Sequence, residues 1–159
     1  MSEPVTVEGL DGYAATALAA VAGARRELLL QSWELDPRFY AGEGFVEAAK
    51  AFVLSGEQVR LRVLLSRTEL ARRGHALVAL GRRVPSRIEF RELTAERRRE
   101  HDGELLIADG RALLKRNDPR SLTALWLADA PAECKRARED FLQLWEESVP
   151  AADLRELAL

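Results

Sequence analysis

An α/β sandwich, a mixed sheet flanked by helices, is the fold class this sequence predicts, and three observations predict it. Helix-like and strand-like periods alternate from residue 12 to residue 92. Residues 27–33, Glu-Leu-Leu-Leu-Gln-Ser-Trp, are largely apolar without alternating, the pattern of a strand buried on both faces. Beyond residue 103 the alternation gives way to two short apolar segments joined by Asp109-Gly110, a hairpin signal, so parallel and antiparallel pairing should share one sheet. The 159 residues are expected to form a single domain with its own core.

Each element follows from its spacing. Asp11 is placed to cap an Ala-rich helix over 12–24, with Tyr13, Ala17, Ala20, Val21 and Ala24 on one face. After the buried strand, Leu35-Asp36-Pro37 turns the chain, because Pro37 disfavours a helical predecessor. Phe45, Ala49, Phe52 and Val53 make a helical stripe that Ser55-Gly56 ends. In 59–66, Val59, Leu61, Val63 and Leu65 alternate with Arg60 and Arg62, which predicts a strand with one polar face. A helix over 68–83 is weakened at Gly74, which can divide it in two, and Pro85 stops it before a strand over 86–92. Residues 94–103 read as a loop or exposed helical turn. Residues 104–108 and 111–115 form the hairpin, Asn117-Asp118-Pro119 turns, and 122–127 add a strand. The last long helix starts near Asp129 with Pro131 in its first turn and a stripe of Ala137, Phe141, Leu144 and Trp145. A short turn is expected over 153–157.

Composition excludes several classes. Apolar residues at 47% and charged residues at 31% place the chain among globular proteins rather than disordered ones. A lone Cys134 allows no internal disulfide and fits a reducing compartment. The acidic residues 1–11 are unlike a signal peptide, and the weakly apolar run 14–24 is too short to span a bilayer, so a cytoplasmic protein without membrane contact is expected. Charge is uneven: 4 basic and 8 acidic residues over 1–55, 16 and 10 over 56–120, 4 and 8 over 121–159, or −4, +6 and −4. A solvated surface accounts for this, and an anion-facing middle region is the sharper alternative.

The stretch that carries chemistry is Asp102-Gly103-Glu104-Leu105-Leu106-Ile107-Ala108-Asp109-Gly110. It resembles the signature of the phospholipase D superfamily, His-x-Lys-x-x-x-x-Asp-Gly, with Asp102 at the place of the nucleophilic His and Glu104 at the place of the phosphate-binding Lys. The resemblance extends along the chain. It takes in the Leu35-Asp36-Pro37 turn, the segment Gly56-x-x-Val59-Arg60-Leu61, Asp129-Ala130-Pro131-Ala132, and the pair Phe141 and Trp145. More narrowly, it is similar to phospholipase D-like domains of proteobacteria, some joined to GNAT-type acetyltransferases. The resemblance implies a phospholipase D-like α/β sandwich, a homodimer in which a second copy supplies the missing repeat (Trp126 a candidate for the interface), and a protein partner in an acetyltransferase-linked system. Where the family usually places a Gly-Ser and an Asn after the Asp-Gly, this chain has Lys115-Arg116-Asn117-Asp118, and His101 stands one residue too early to be the nucleophile.

The family's chemistry needs an imidazole to attack phosphorus and a cation to hold the phosphoryl oxygens. Two carboxylates would repel the substrate, so no catalytic residue is assigned and Asp102, Glu104, Asp109 and Gly110 read as a relic motif. Asp102 and Glu104 are expected as exposed strand-edge charges, with Asp109 serving the turn. Arg60, Arg62, Lys115 and Arg116 are the candidate anion-binding residues. Arg60 and Arg62 are expected to pair with Glu34, Asp36 or Glu89. His75 reads as a surface or partly packed helical residue and His101 as solvated. They lie 26 positions apart without metal-motif spacing, so neither metal nor cofactor is expected. Trp33, Trp126 and Trp145 read as core or subunit-contact residues. Three functions follow in order of preference: a non-catalytic structural, interaction or regulatory module; a weak nucleic-acid or phospho-ligand binder using the relic cleft; and a metal-dependent enzyme using the carboxylates of Asp102, Glu104 and Asp109.

Overall fold

The structure, a computed structural model, describes residues 3–101, 103–118 and 120–155. The expected elements are present with three additions, the strands Val5–Val7 and Val149–Pro150 and the short helix Pro37–Tyr40. The order is β1 (Val5–Val7), α1 (Gly9–Gly23), β2 (Glu27–Ser32), α2 (Pro37–Tyr40), α3 (Glu43–Val53), β3 (Arg60–Leu65), α4 (Ala76–Arg83), β4 (Ile88–Glu92), α5 (Ala95–Arg98), β5 (Glu104–Ala108), β6 (Ala112–Arg116), β7 (Ala124–Leu127), α6 (Pro131–Glu147), β8 (Val149–Pro150) and α7 (Ala152–Arg155). The short strands β1 and β8 carry no period of their own and exist because a sheet edge is there to pair with.

One eight-stranded sheet has the order β1-β7-β6-β5-β2-β3-β4-β8. β2, β3 and β4 run parallel, and the remaining pairings are antiparallel. The two parallel pairs join strands that helices connect in sequence, and the antiparallel pairs include the two successive pairings β5–β6 and β6–β7 that turns connect. α1 to α4 and α7 bury one face around Tyr13, Phe39, Tyr40, Phe45, Phe52 and Leu154. α6 alone covers the other, with Phe141, Leu144, Trp145 and Cys134 against Leu29, Leu64, Ile107 and Leu113. Full burial of each such side chain contributes about 1.5–3 kcal/mol. A bidentate pair from Arg138 to the Glu27 carboxylate, at 2.8 and 3.0 Å, ties α6 to the start of β2.

Four local expectations are corrected. α1 begins at Gly9, so Asp11 sits in its first turn rather than capping it. The helix expected over 68–83 starts only at Ala76: turns precede it, and Gly74, at φ 69°, makes the division that its place in the sequence allowed. The second face of β3 is not simply polar: Leu64 is buried on it beneath α6, and the Arg62 guanidinium lies 5.8 Å from the Trp145 ring. Finally, β7 starts at Ala124 rather than 122. No helix among the described residues is long and apolar enough to cross a membrane.

Candidate functional site

The motif occupies the β5–β6 hairpin at the middle of the sheet. Asp109 and Gly110 both take positive φ, 55° and 64°, and the Arg111 N–H donates to the Ala108 carbonyl at 3.0 Å, as in a type I′ turn. Asp109 does more than turn the chain. Its carboxylate accepts the backbone N–H groups of Arg25, Arg26 and Glu27 at 2.8, 2.7 and 2.9 Å, fixing the connection between α1 and β2. Gly103 is required for a different reason: a Cβ there would lie 2.7 Å from the Arg116 carbonyl oxygen.

Glu104 is the main correction to the sequence reading. Its side chain is not an exposed edge charge, since the residue is only 4% exposed. Alternation along β5 sends Glu104, Leu106 and Ala108 to the α1 face, and there three donors converge on the carboxylate. The Ser32 hydroxyl donates to Oε1 at 2.6 Å, the Tyr40 hydroxyl to Oε1 at 2.8 Å, and the Trp33 N–H to Oε2 at 2.8 Å. Because Tyr40 spends its proton on Glu104, the Tyr13 hydroxyl is the donor in the 2.9 Å Tyr13–Tyr40 bond. Burial pushes the Glu104 carboxyl above the usual carboxylate range, and the bonds from Ser32, Trp33 and Tyr40 and the charge of Arg116 pull it back. Burial and the Glu104 charge also raise the hydroxyls of Tyr40 and Tyr13, which therefore stay protonated as donors.

Arg116, paired opposite Glu104 across the hairpin, is buried over the Tyr13 and Phe39 rings at 5.6 and 5.5 Å and donates to the Ser121 carbonyl. Beside it the loop after β2 holds Leu35 at φ 57°, a conformation that costs a bulky residue about 1–2 kcal/mol. Two side chains hold it: the Leu35 N–H donates to Ser32 Oγ at 3.0 Å, and His75 Nε2 lies 3.0 Å from the Leu35 carbonyl. His75 is therefore a buried cap of α4, not a surface residue. Its Nδ1 accepts from the Leu77 N–H, so Nε2 carries the proton and donates to Leu35. Burial lowers its pKa and favours this neutral ring.

A cleft of about 290 Å³ opens here, lined by Ser32, Trp33, Asp36, Glu104, Arg116 and Arg120. Neither imidazole nor lysine lines it among the described residues. On the opposite face of the sheet, a second cleft of about 290 Å³ is lined by Gln31, His101, Lys115, Asn117 and Asp140. A larger cleft, about 460 Å³, lies at the β4–β8 edge around Pro85, Phe90 and Pro150, away from the motif.

The sequence-predicted residues are only partly brought together. Asp102 lies outside the described residues. Glu104 and Asp109 stand at opposite ends of β5, about 16 Å of strand apart, so they do not form a carboxylate cluster. No group of three His, Cys, Asp or Glu side chains among the described residues could hold a metal ion. Lys115 and Arg116, being neighbours on β6, face opposite sides of the sheet. Arg60 is at the far end of β3 from Glu104, bonded to the carbonyls of Glu57 and Val59, and Arg62 stacks on Trp145. None of the carboxylates expected to pair with them does so: Asp36 binds Arg38, and Glu89 binds Arg91. Among the tryptophans, Trp145 is core, Trp126 is half-buried against the first core, and Trp33 lies under Arg67. Burial pushes the Cys134 thiol up to about 11, which leaves it inert as a nucleophile at neutral pH. Sequence reasoning missed Ser32, Tyr40 and His75. The polar Ser at the end of an apolar strand was their one visible signal.

The fold is phospholipase D-like. The chain is similar to Nuc from Salmonella typhimurium, a phospholipase D family member, at TM-score 0.66 and 14% identity, covering 93% of this chain and 98% of that one. It is similar to NucT from Helicobacter pylori at TM-score 0.65 and 9% identity, with the same coverage. It is also similar to TrmBL2, an archaeal chromatin protein with a novel mode of DNA binding, at TM-score 0.70 and 19% identity. That match covers 94% of this chain and spans about half of TrmBL2, 54%. No curated protein matches in sequence. A family model described as a domain of unknown function, DUF7931, matches residues 10–157.

Proposed function

The chain belongs to the DUF7931 family, and from that premise and its phospholipase D-like fold we propose that it is a non-catalytic phospholipase D-like domain serving as a structural, interaction or regulatory module. One observation carries this reading: the side chain at the position of the phosphate-binding Lys is a buried carboxylate whose oxygens are already engaged by Ser32, Trp33 and Tyr40. An incoming phosphodiester would meet a negative charge where the fold's chemistry requires a positive one. With Asp102 at the nucleophile position, the motif itself offers no imidazole to attack phosphorus. The expected result is no hydrolysis of bis-p-nitrophenyl phosphate above buffer, with or without added divalent cation. Turnover that co-purifies with the protein and survives EDTA overturns the reading.

The reading extends to a homodimer, in which two copies stand in for the paired repeats of the phospholipase D superfamily, and to a protein partner in an acetyltransferase-linked system. A mass of twice 17.8 kDa by light scattering is the result expected of the dimer, and a clean monomer rejects it.

A second reading, weak nucleic-acid binding, draws on the likeness to the DNA-binding TrmBL2 and on the +6 charge of residues 56–120. The surface near the relic cleft has an aromatic and a cation in register, with Arg67 5.6 Å from the Trp33 ring. Many neighbouring arginines are already paired with carboxylates, Arg38 with Asp36 and Arg97 with Glu147 among them. Binding should therefore be weak and independent of sequence. If about four phosphates are neutralised, affinity falls about 100-fold between 50 and 200 mM salt. Fluorescence anisotropy with a labelled single strand and a duplex at both salts measures this, and no binding at either eliminates the reading.

A further inference from the structure

We infer that Glu104 is the resident anion of an oxyanion-binding nest, and that the nest takes a free carboxylate of the acetate class when the side chain is removed. The nest consists of the Ser32 hydroxyl, the Trp33 N–H and the Tyr40 hydroxyl, with the Arg116 charge beside them. This deepens the proposed reading of the same cleft: the fold's capacity to bind an anion is not eroded but internally occupied.

Four features support it. The three nearest groups are all donors, and they come from two different places in the fold, Ser32 and Trp33 at and just after the end of β2 and Tyr40 at the end of α2. Each is held independently of Glu104: the Trp33 carbonyl accepts the Arg67 N–H at 2.8 Å. Ser32 Oγ also accepts the Leu35 N–H, and Tyr40 is locked by the Tyr13 bond and by ring contacts with Phe39 and Phe45 at 5.8 and 5.5 Å. A donor set anchored in this way keeps its geometry when the acceptor is removed. Glu104 and Ser32 also line the 290 Å³ cleft, so a small solute has a route to the nest. Lastly, the atoms lost in Glu104→Ala, one methylene and the carboxylate, are those of acetate with one hydrogen added, so the vacated space matches the probe.

The test compares thermal unfolding of the wild type, Glu104→Ala and Glu104→Gln in sodium chloride, sodium acetate and sodium phosphate at equal ionic strength and pH. Glu104→Ala is expected to be destabilised in chloride and to recover about 3–6 °C in acetate at roughly tenfold over the dissociation constant. Recovery in phosphate as well widens the nest to tetrahedral oxyanions, and recovery in acetate alone confines it to carboxylates. Either result supports the inference. The wild type and Glu104→Gln, whose side chains fill the space, should show no acetate-specific gain. If Glu104→Ala does not fold in chloride, refolding yield in acetate against chloride becomes the readout. Equal melting or equal yield of Glu104→Ala in all three salts overturns the inference, as does an acetate gain shared by Glu104→Gln. The readout is anion binding, so its failure leaves the absence of hydrolysis untouched, and hydrolysis by the wild type would leave the nest untouched.

Discussion

Glu104→Lys, the substitution that restores the lysine of the phospholipase D signature, is expected to unfold the protein rather than to recover hydrolysis. The wild-type carboxylate accepts from Ser32, Trp33 and Tyr40. An ammonium group in its place accepts nothing, so all three donors lose their partner, and it brings a second cation beside Arg116. Each orphaned donor costs about 1–3 kcal/mol, and breaking a buried charge arrangement by removing one partner costs about 3–5 kcal/mol. These penalties overlap, so a loss of about 4–6 kcal/mol is expected, comparable with the whole stability of many domains. Circular dichroism melting checks it. A cooperative transition within a few degrees of the wild type would show that the cleft accommodates the lysine and that Glu104 is not structurally committed.

Asp109→Ala should be the next most damaging change, by a different route. Three backbone N–H groups at residues 25–27 converge on that carboxylate, and the residue itself sits at φ 55°. Alanine loses the acceptor and is strained in the left-handed region. Water can replace part of the hydrogen bonding because the site is only partly buried, so about 3 kcal/mol is expected, or a fall in melting temperature of about 6–12 °C. Asp109→Asn keeps a side-chain carbonyl and tolerates positive φ, and should lose about half as much. Denaturant unfolding of the two variants separates the contributions. Equal losses would mean that the charge, rather than the turn conformation, accounts for the effect. The motif's aspartate has a conformational role in this chain, holding the turn and the backbone of residues 25–27.

Much of the architecture was readable along the chain because burial imposes a period on sequence. Leu28, Leu29 and Leu30 are apolar in succession because β2 is covered by α1 on one face and α6 on the other. Val59, Leu61, Val63 and Leu65 alternate because β3 presents them to one core. Asp109-Gly110 announces its hairpin because few dipeptides take two positive φ angles without strain. What periodicity does not encode is pairing at the edges: β1 and β8 are three and two residues long and depend on strands far away in sequence.

The sequence by itself determined the fold class, the hairpin that carries the motif, and the replacement of an imidazole and an ammonium by two carboxylates. Only the tertiary structure decided what Glu104 does with its charge. Its environment is assembled from residues 64, 71 and 72 positions away in sequence, with Tyr13 a further 27 positions before Tyr40. A charged residue at a strand terminus looks exposed until those partners are known, because the cost of burying it depends wholly on them. The same holds for His75, read as a helix residue and found closing a strained turn 40 residues upstream, and for Arg60, whose distance from the cleft is set by strand register. Local physics writes secondary structure into the sequence, while the protonation, pairing and exposure of single polar groups arise from contacts that no local pattern records.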